Sequence, residues 1–184
     1  MWSPGDAPPG PSIWKLQGSP MRIRELFPTE TALVAQFYRE APDYWLMAEG
    51  RCDPAAQAQD FFTDAPPNCD PAASDRLGLF VDQRLSGVAE VSYGFPEPSD
   101  AYLGVMILGP WAQGAGHGRA FLAHCEELAR KRHAPRLYLA VIEKNRRGRA
   151  FWVREGFSPT GLGRQDIEHG YWVERLVKTL EPKR

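Results

Sequence analysis

The chain has 184 residues, and its 22 Lys and Arg against 23 Asp and Glu give a formal net charge of −1. This length predicts one domain with its own hydrophobic core. A domain that grips nucleic acid through the phosphate backbone usually carries a large basic excess, so the charge balance argues against such a partner. No apolar run reaches the roughly 18 residues that a transmembrane helix needs, so no membrane partner is expected either.

The cysteines and histidines point to no covalent framework and no metal. Cys52, Cys69 and Cys125 form no C-x-x-C pair, and an odd count argues against a disulfide framework. The four histidines show no H-E-x-x-H spacing, so no metal site is expected. Free thiols are typical of a reducing compartment, which predicts a cytoplasmic location.

The first twenty residues differ from the rest. Residues 1–20 carry five prolines, no helical periodicity and no apolar segment of the kind found in secretory signals. They are predicted to form an extended arm, and residues 21–184 a single domain.

Strand and helix patterns then alternate along the chain, with Thr29 as a predicted N-cap of the first helix and Asp53-Pro54 as the start of the second. The predicted elements, in order, are a strand at 21–26, a helix from 29 to about 41, a helix from 54 to about 63, strands at 77–81, 87–95 and 102–108, a helix from 118 to about 133, a strand at 136–142, a helix at 147–155, and strands at 157–160 and 171–180.

Connection lengths decide how these strands pair. The three strands between 77 and 108 are joined by short turns, which predicts an antiparallel meander. The strand–helix–strand unit over 102–142 predicts one parallel pair. The expected class is therefore α/β with a central mixed, mostly antiparallel sheet, flanked by about four helices.

A glycine-rich loop follows the strand at 102–108 and opens the next helix. Its sequence is Gln113-Gly-Ala-Gly116-His-Gly118-Arg119. Glycine backbone N–H groups and a helix N-terminus together bind phosphate, so the loop predicts a phosphate cradle. It has neither the lysine of a P-loop nor the spacing of the dinucleotide fingerprint. A plain glycine turn, or a nucleotide domain unrelated to coenzyme A, are the alternatives at this point.

Two segments narrow the choice. Gln113-x-x-Gly116-x-Gly118 resembles the [RQ]-x-x-G-x-[GA] pyrophosphate motif of the GNAT superfamily of acyl-CoA-dependent N-acetyltransferases. Downstream, Asn145 precedes a short helix with two aromatics and then Gly156-Phe157, which looks like the second motif of that superfamily. The element order resembles the family over about 21–180, while the motifs occupy about 102–157.

The resemblance implies a sheet that splays between the parallel strands and takes the pantetheine arm of acetyl-CoA, the acyl donor, in the gap. It implies backbone pairing at the end of one strand, amides on the pyrophosphate, a hydrogen bond from an asparagine, and two aromatics beside the thioester. The residues expected to bind the cofactor are Met106, Ile107, Leu108, Gln113, Gly114, Ala115, Gly116, His117, Gly118, Arg119, Asn145, Phe151 and Trp152.

Catalysis needs a base for the amine, a donor for the developing oxyanion and an acid for the thiolate. Glu90 is the leading base candidate, because counting across the turn pairs it with Val105 beside the splay. A solvated Glu90 on the polar face of the sheet is the alternative. The oxyanion donor is expected to be a backbone N–H near Ile107 or Leu108. Many family members carry an acidic tyrosine where this chain has Trp152, whose indole cannot serve as that acid.

Weaker catalytic candidates are Tyr93 and Glu143. His117, inside the loop, is expected to contact the cofactor, and His124 to lie on the surface.

The acceptor is expected to be an amine. Family architecture places it near the first two helices, around 43–45 and 60–64, where acids and aromatics suit a cation. The alternative is that Phe61 and Phe62 belong to the core and that Asp60 and Asp64 are solvated. The predicted function is N-acetyl transfer from acetyl-CoA to an amine in a ternary complex; alternatively the chain is an acyl-CoA-binding module with little activity. A homodimer is the expected assembly.

Overall fold

A mixed sheet with helices on both faces forms the domain in the computed structural model, which describes residues 21–180. The predicted arm at 1–20 and residues 181–184 lie outside the described residues. The strands are β1 (Met21–Glu25), β2 (Asp75–Val81), β3 (Arg84–Tyr93), β4 (Ala101–Leu108), β5 (Arg136–Ile142), β6 (Ser158–Asp166) and β7 (Tyr171–Thr179). The helices are α1 (Thr31–Glu40), α2 (Asp43–Glu49), α3 (Pro54–Thr63), α4 (His117–Lys131) and α5 (Arg146–Arg154).

The sheet has seven strands in the order β1-β2-β3-β4-β5-β7-β6. Every neighbouring pair is antiparallel except β4 and β5, which are parallel. The predicted meander is β2-β3-β4, and the predicted parallel pair is β4 with β5. The α/β fold class and its mixed, mostly antiparallel sheet are therefore confirmed.

Each face of the sheet has its own hydrophobic core. On one face, α4 and α5 bury Phe121, Cys125 and Trp152 against alternate residues of β4 and β5. On the other face, α1 and α3 bury Phe37 and Phe61 against residues of β2, β3 and β4, among them Val88 and Ile107. This division follows from the strand, where successive side chains point to opposite faces. Full burial of one such side chain contributes about 1.5–3 kcal/mol, so both layers are needed to hold the sheet.

The helix count is five within residues 21–180, one more than predicted, because α2 was expected to be loop. Pro42 ends α1 and precedes α2, and Gly50 adopts the left-handed conformation (φ +70°) that closes it. Proline at the start and glycine past the end are helix signals. The seven residues between them are too few for a 3.6-residue periodicity to show.

Two local predictions were wrong. Thr29 is not an N-cap, because it lies inside a 3₁₀ turn over Pro28–Glu30, and α1 begins only at Thr31. β6 continues to Asp166, where the sequence predicted an end at 160. The pairing with β7 is interrupted by an irregularity between Pro159 and Gly163 and then resumes, so the strand continues past the predicted end.

Candidate functional site

The parallel strands β4 and β5 part after three residue pairs. The last pair is Leu103 with Leu139, although β4 runs on to Leu108 and β5 to Ile142. A bulge starts the divergence: Glu90 pairs with Val105 and Val91 with Leu103, which leaves Gly104 as the extra residue of β4. The result is a V-shaped gap with the free edge of β4 on one side.

Backbone pairing on β3 decides which groups of β4 face this gap. The N–H of Gly109 donates to the carbonyl of Ser86 at 2.9 Å, so Ile107 two residues earlier also turns its backbone polar groups toward β3. Met106 and Leu108, in the alternate register, turn theirs toward the gap. Of the three strand positions predicted to pair with a ligand, two have their backbone at the open edge. An oxyanion donor near Ile107 is therefore limited to the neighbouring N–H groups.

The glycine loop lies at the mouth of the gap. Gly114 and Gly116 both have φ of +82°, a conformation that favours glycine, and the positions of their missing Cβ atoms have no neighbour within 4 Å. Gly116 is the N-cap of α4, whose fifteen residues begin at His117. The first-turn amides of His117, Gly118 and Arg119 have no acceptor inside their own helix, and the helix dipole adds a partial positive charge there.

Side chains hold the loop in this shape. Gln113 donates from Nε2 to the carbonyl of Leu108 at 3.0 Å, so the motif glutamine ties the loop to the end of β4. Trp111 donates from Nε1 to Ser86 Oγ at 3.0 Å, and the guanidinium of Arg84 lies 3.5 Å above its ring. A side chain at Gly109 would collide with Trp111, at 2.5 Å from the nearest ring atom. Trp111 was missed as an anchor, because nothing in its local pattern distinguishes it.

The second motif builds the other wall. Asn145 caps α5, since its Oδ1 accepts the N–H of Gly148 at 2.8 Å. Phe151 lies against the loop, 3.4 Å from the position a Cβ of Gly118 would take. Trp152 is only 9% exposed and packs edge-on against Phe157. The structure thus brings Phe151 to the loop and places Trp152 in the core.

Glu90 lies on the opposite face of the sheet from the loop and is buried, not solvated, with 5% exposure. Ser92 Oγ donates to its Oε1, and Arg76 Nη1 is 3.5 Å from the same oxygen. Its Oε2 covers the Cα of Gly104, where an added Cβ would lie 2.2 Å from it. Burial raises the pKa of Glu90, although the hydrogen bond from Ser92 and the charge of Arg76 oppose the rise.

A buried carboxylate whose pKa is raised is a stronger base than a solvated one, so Glu90 is able to accept a proton beside the bulge. The pairing with Val105 that led to Glu90 is the observed register. Gly104, whose missing side chain makes room for the carboxylate, was missed, because a lone glycine in a strand has many explanations.

The weaker candidates are occupied elsewhere. Tyr93 donates to Asp75 Oδ2 and has the Arg132 guanidinium 4.2 Å above its ring, at the end of β3 away from the gap. Glu143 Oε1 accepts the N–H of Trp172 at 3.0 Å and extends the pairing of β5 with β7.

Helix α2 covers the Glu90 face next to the gap. Tyr44 packs with Ala48 and Met47 against Ile142 at the end of β5 and against β7. Burial, with smaller contributions from Tyr171 and Glu49, raises the pKa of Tyr44 to about 12, so its hydroxyl stays protonated. The hydroxyl of Tyr171 donates to the carbonyl of Ala48 at 2.6 Å and fixes α2 to β7.

The acids proposed for a cationic acceptor are not assembled into a site. Asp60 and Asp64 are exposed at the end of α3. Phe61 is buried in the core, and Phe62 packs against it edge-on at 4.9 Å. This arrangement corresponds to the alternative in which the aromatics are core and the acids are solvated.

The described part of the chain contains neither a cluster of metal-binding side chains nor a helix suited to a membrane. Residues 21–180 hold no group of three or more His, Cys, Asp or Glu side chains able to bind a metal ion, and Cys52, Cys69 and Cys125 are free thiols. None of the helices among these residues has the length and hydropathy to cross a bilayer.

Comparisons with known proteins agree with this geometry. Residues 34–157 match the model of the Acetyltransferase (GNAT) family. The structure is similar to an acetyltransferase from Thermus thermophilus, with a TM-score of 0.66 and 23% identity over 87% of this chain and 97% of that one.

Two further solved structures have the same fold. The ribosomal-protein-S18-alanine N-acetyltransferase from Escherichia coli has a TM-score of 0.65 and 16% identity, over 89% of this chain and 96% of that one. PaiA N-acetyltransferase from Thermoplasma acidophilum, solved in complex with coenzyme A, has a TM-score of 0.63 and 19% identity, over 87% and 99%. No curated protein sequence matches the chain.

Proposed function

The chain belongs to the GNAT acetyltransferase family, whose model covers residues 34–157, and from this premise we propose that it is an N-acetyltransferase. Acetyl-CoA is the donor, an amine is the acceptor, and the amine attacks directly in a ternary complex. One observation carries the proposal: the free edge of β4 and the open first turn of α4 meet at the gap, with a buried carboxylate on the opposite face.

The residues present fit an acyl-CoA. Its pyrophosphate needs clustered N–H donors, and the backbone from Gly114 to Arg119 offers them with room for an anion. Its pantetheine amides need strand-like partners, and the backbones of Met106 and Leu108 supply them. Phe151 would line the arm beside the loop. Asn145 keeps its Nδ2 group for the ligand while its Oδ1 caps α5.

Glu90 is proposed as the general base. The acceptor amine is protonated at neutral pH and must lose that proton before it attacks. The raised pKa of Glu90 brings its basicity closer to neutrality, and its burial excludes competing water. Bound acetyl-CoA supplies an acetyl group activated as a thioester. The N–H of Met106 or Leu108 would donate to the developing negative charge.

Trp152 affects the step in which the leaving thiolate is protonated. Its indole is packed in the core and has no acidic proton to offer a leaving thiolate. An ordinary thiol has a pKa near 8.5 (order of magnitude), so coenzyme A can leave as a thiolate and be protonated by solvent. The same tryptophan is the observation that favours the alternative function, an acyl-CoA-binding module with little or no turnover.

An isotope experiment separates the two. Purified protein is incubated with acetyl-CoA labelled in the acetyl group and with an extract of small molecules and peptides, and mass spectrometry searches for labelled products. A labelled amine supports the transferase. Binding of acetyl-CoA by calorimetry with no labelled product from any amine supports the binding module. The absence of both binding and product would contradict both functions.

The matched control is Gly116→Glu, which places a carboxylate in the loop. The added Cβ meets no atom within 4 Å, so the core is not displaced, and the effect is confined to blocking the anion and to straining the loop at a φ of +82°. Circular dichroism verifies that this variant is folded. A cytoplasmic location and a homodimer stay predictions, tested by fractionation and by light scattering.

A further inference from the structure

A recess opens on the Glu90 face of the sheet where β4 and β5 begin to part. Its walls include Tyr102 of β4, Ala140 of β5, Arg164 of β6, and Val173 and Arg175 of β7. Tyr102 belongs to the three pairs that join β4 to β5, and Ala140 is the first residue of β5 beyond them. The recess therefore lies at the vertex of the gap.

Strand register turns both arginines into this recess. Arg175 pairs with Ala140, whose small exposed side chain leaves the space above it open. Arg164 pairs with Val173, two residues from Arg175 and on the same face. Diagonal neighbours of this kind are about 7–8 Å apart at the backbone, and two long side chains can close that distance around one small anion.

Aromatic packing orients one of the guanidiniums. Arg175 lies 5.0 Å above the ring of Phe95, and Phe95 packs edge-on against Tyr102 at 5.2 Å. Arg175 is partly buried, while Arg164 is exposed at the rim. Arg175 is therefore oriented by an aromatic ring, while Arg164 extends from the rim of the same opening.

Neither guanidinium is neutralised by an ion pair within residues 21–180, where eleven other pairs occur. Two carboxylates near this face of the sheet accept hydrogen bonds from other residues. Asp166 accepts from the backbone and ring of His169, and Glu49 accepts from Gln57. Of the two cations, Arg164 interacts electrostatically with Asp166 two residues along β6, whereas Arg175 forms no ion pair within residues 21–180.

Tyr102 connects the recess to the proposed base. Burial raises the pKa of Tyr102; Arg175 and Arg164 lower it, and Glu90 raises it further. Tyr102 also pairs across the sheet with Ser92, whose hydroxyl donates to Glu90, so the tyrosine stands beside the strand segment that holds the carboxylate. A small molecule lying across the Tyr102 side chain would have one end toward Arg164 and Arg175 and the other toward Glu90.

We propose that this recess is an anion subsite and that the acceptor is a small amine that also carries a carboxylate or phosphate. Arg164 and Arg175 bind the anionic group, and the amine faces Glu90. The inference rests on the proposed acetyl transfer and adds the class of acceptor. It replaces the exposed Asp60 and Asp64 as the basis for recognition.

The test uses acceptor pairs in which one member carries an added anionic group: α-amino acids against the corresponding alkylamines, and amino-sugar phosphates against the free amino sugars. Initial rates with acetyl-CoA are measured for the wild type, Arg164→Gln, Arg175→Gln and Arg39→Gln. Arg39 is an exposed arginine of α1 away from the recess and serves as the control.

The expected result is a preference for the anionic member, with KM raised about 10-fold by either recess substitution and kcat within about 2-fold. The KM for acetyl-CoA stays unchanged, as do all constants of Arg39→Gln. The pair that shows the preference distinguishes carboxylate from phosphate. Equal rates within every pair, or a preference that survives both substitutions, would overturn the anion subsite while leaving the transferase intact.

A readout without turnover separates this inference from the proposed function. Arginine side-chain resonances of the full chain are followed by NMR while N-acetylglycinate, inorganic phosphate or neutral N-methylacetamide is added. Shifts for Arg164 and Arg175 with an anion alone support the subsite even if no amine is acetylated. Equal shifts of exposed arginines such as Arg39, or none, contradict it.

Discussion

The two faces of the splayed sheet are built by different means. The face with α4 and α5 presents backbone amides from one continuous loop, Gln113 to Arg119. The face with α2 presents side chains from separate strands, namely Glu90 on β3, Tyr102 on β4 and Arg175 on β7. A backbone site leaves a glycine pattern in the sequence, whereas a side-chain site exists only after long-range pairing. The proposed donor side is therefore readable from the sequence, whereas on the proposed acceptor side only Glu90 was.

The strongest way to break the donor side is Gly116→Glu. The change removes the left-handed glycine and places a negative charge where the phosphates would bind. Loss of about two charge-assisted hydrogen bonds lowers the affinity for acetyl-CoA by roughly 100-fold or more, measured by calorimetry. Unchanged affinity in a folded Gly116→Glu protein would mean that the loop does not hold the phosphates.

Glu90→Gln is the most direct test of the proposed acceptor side. This variant keeps the size of the side chain but removes the carboxylate that we propose as the base, so we expect kcat to fall by roughly 100-fold while acetyl-CoA binding is retained. In the wild type, kcat/KM falls as the pH is lowered through the raised pKa of Glu90, because the carboxylate must be ionised to accept a proton. The acidic limb therefore lies above the ordinary value of 4.5 and disappears in Glu90→Gln. The same limb in both proteins would assign it to another group.

Gly104→Ala tests whether the bulge positions Glu90. A methyl group would lie 2.2 Å from the carboxylate of Glu90, so the carboxylate must move. We expect kcat to fall about 10-fold, with acetyl-CoA affinity unchanged, because a small displacement of a catalytic group is costly. In a Glu90→Gln background, the added methyl should have little further effect on kcat. Full additivity of the two changes would show that Gly104 acts independently of Glu90.

The fold was predictable because its signals are local. Short turns indicated the meander, the connection through α4 indicated the parallel pair, and Asp53-Pro54 marked the start of α3. The loop was predictable because glycines specify backbone conformation directly. Glu90 was predicted by counting residue pairs across the single turn between β3 and β4.

The remainder needed contacts that no local pattern encodes. Arg164 pairs with Val173, and Arg175 with Ala140 about 35 residues earlier along the chain, so their convergence depends on the strand order β5-β7-β6. Asp60 and Asp64 matched the expected chemistry in composition but face solvent. Trp152 sits in the aromatic motif yet points to the core, because its neighbour Phe151 takes the position beside the loop.

The smallest expected catalytic effect is that of Asp60→Asn and Asp64→Asn. Both carboxylates are exposed and away from the recess, so the KM for the acceptor should change by less than about 2-fold. Steady-state kinetics with the best acceptor test this directly. A larger rise in KM would return recognition of a cationic amine to α3 and weaken the case for the arginines.

The seam between β4 and β5 gives the sheet an unusual mechanical character. Three residue pairs join a four-stranded half to a three-stranded half, and past Leu103 and Leu139 the two halves have no ladder in common. A molecule lying along the free edge of β4 would occupy the course of an absent strand segment. The bound donor would then join the two halves reversibly and stiffen the sheet. Slower amide hydrogen exchange at Met106 and Leu108 would report this binding before any chemistry takes place.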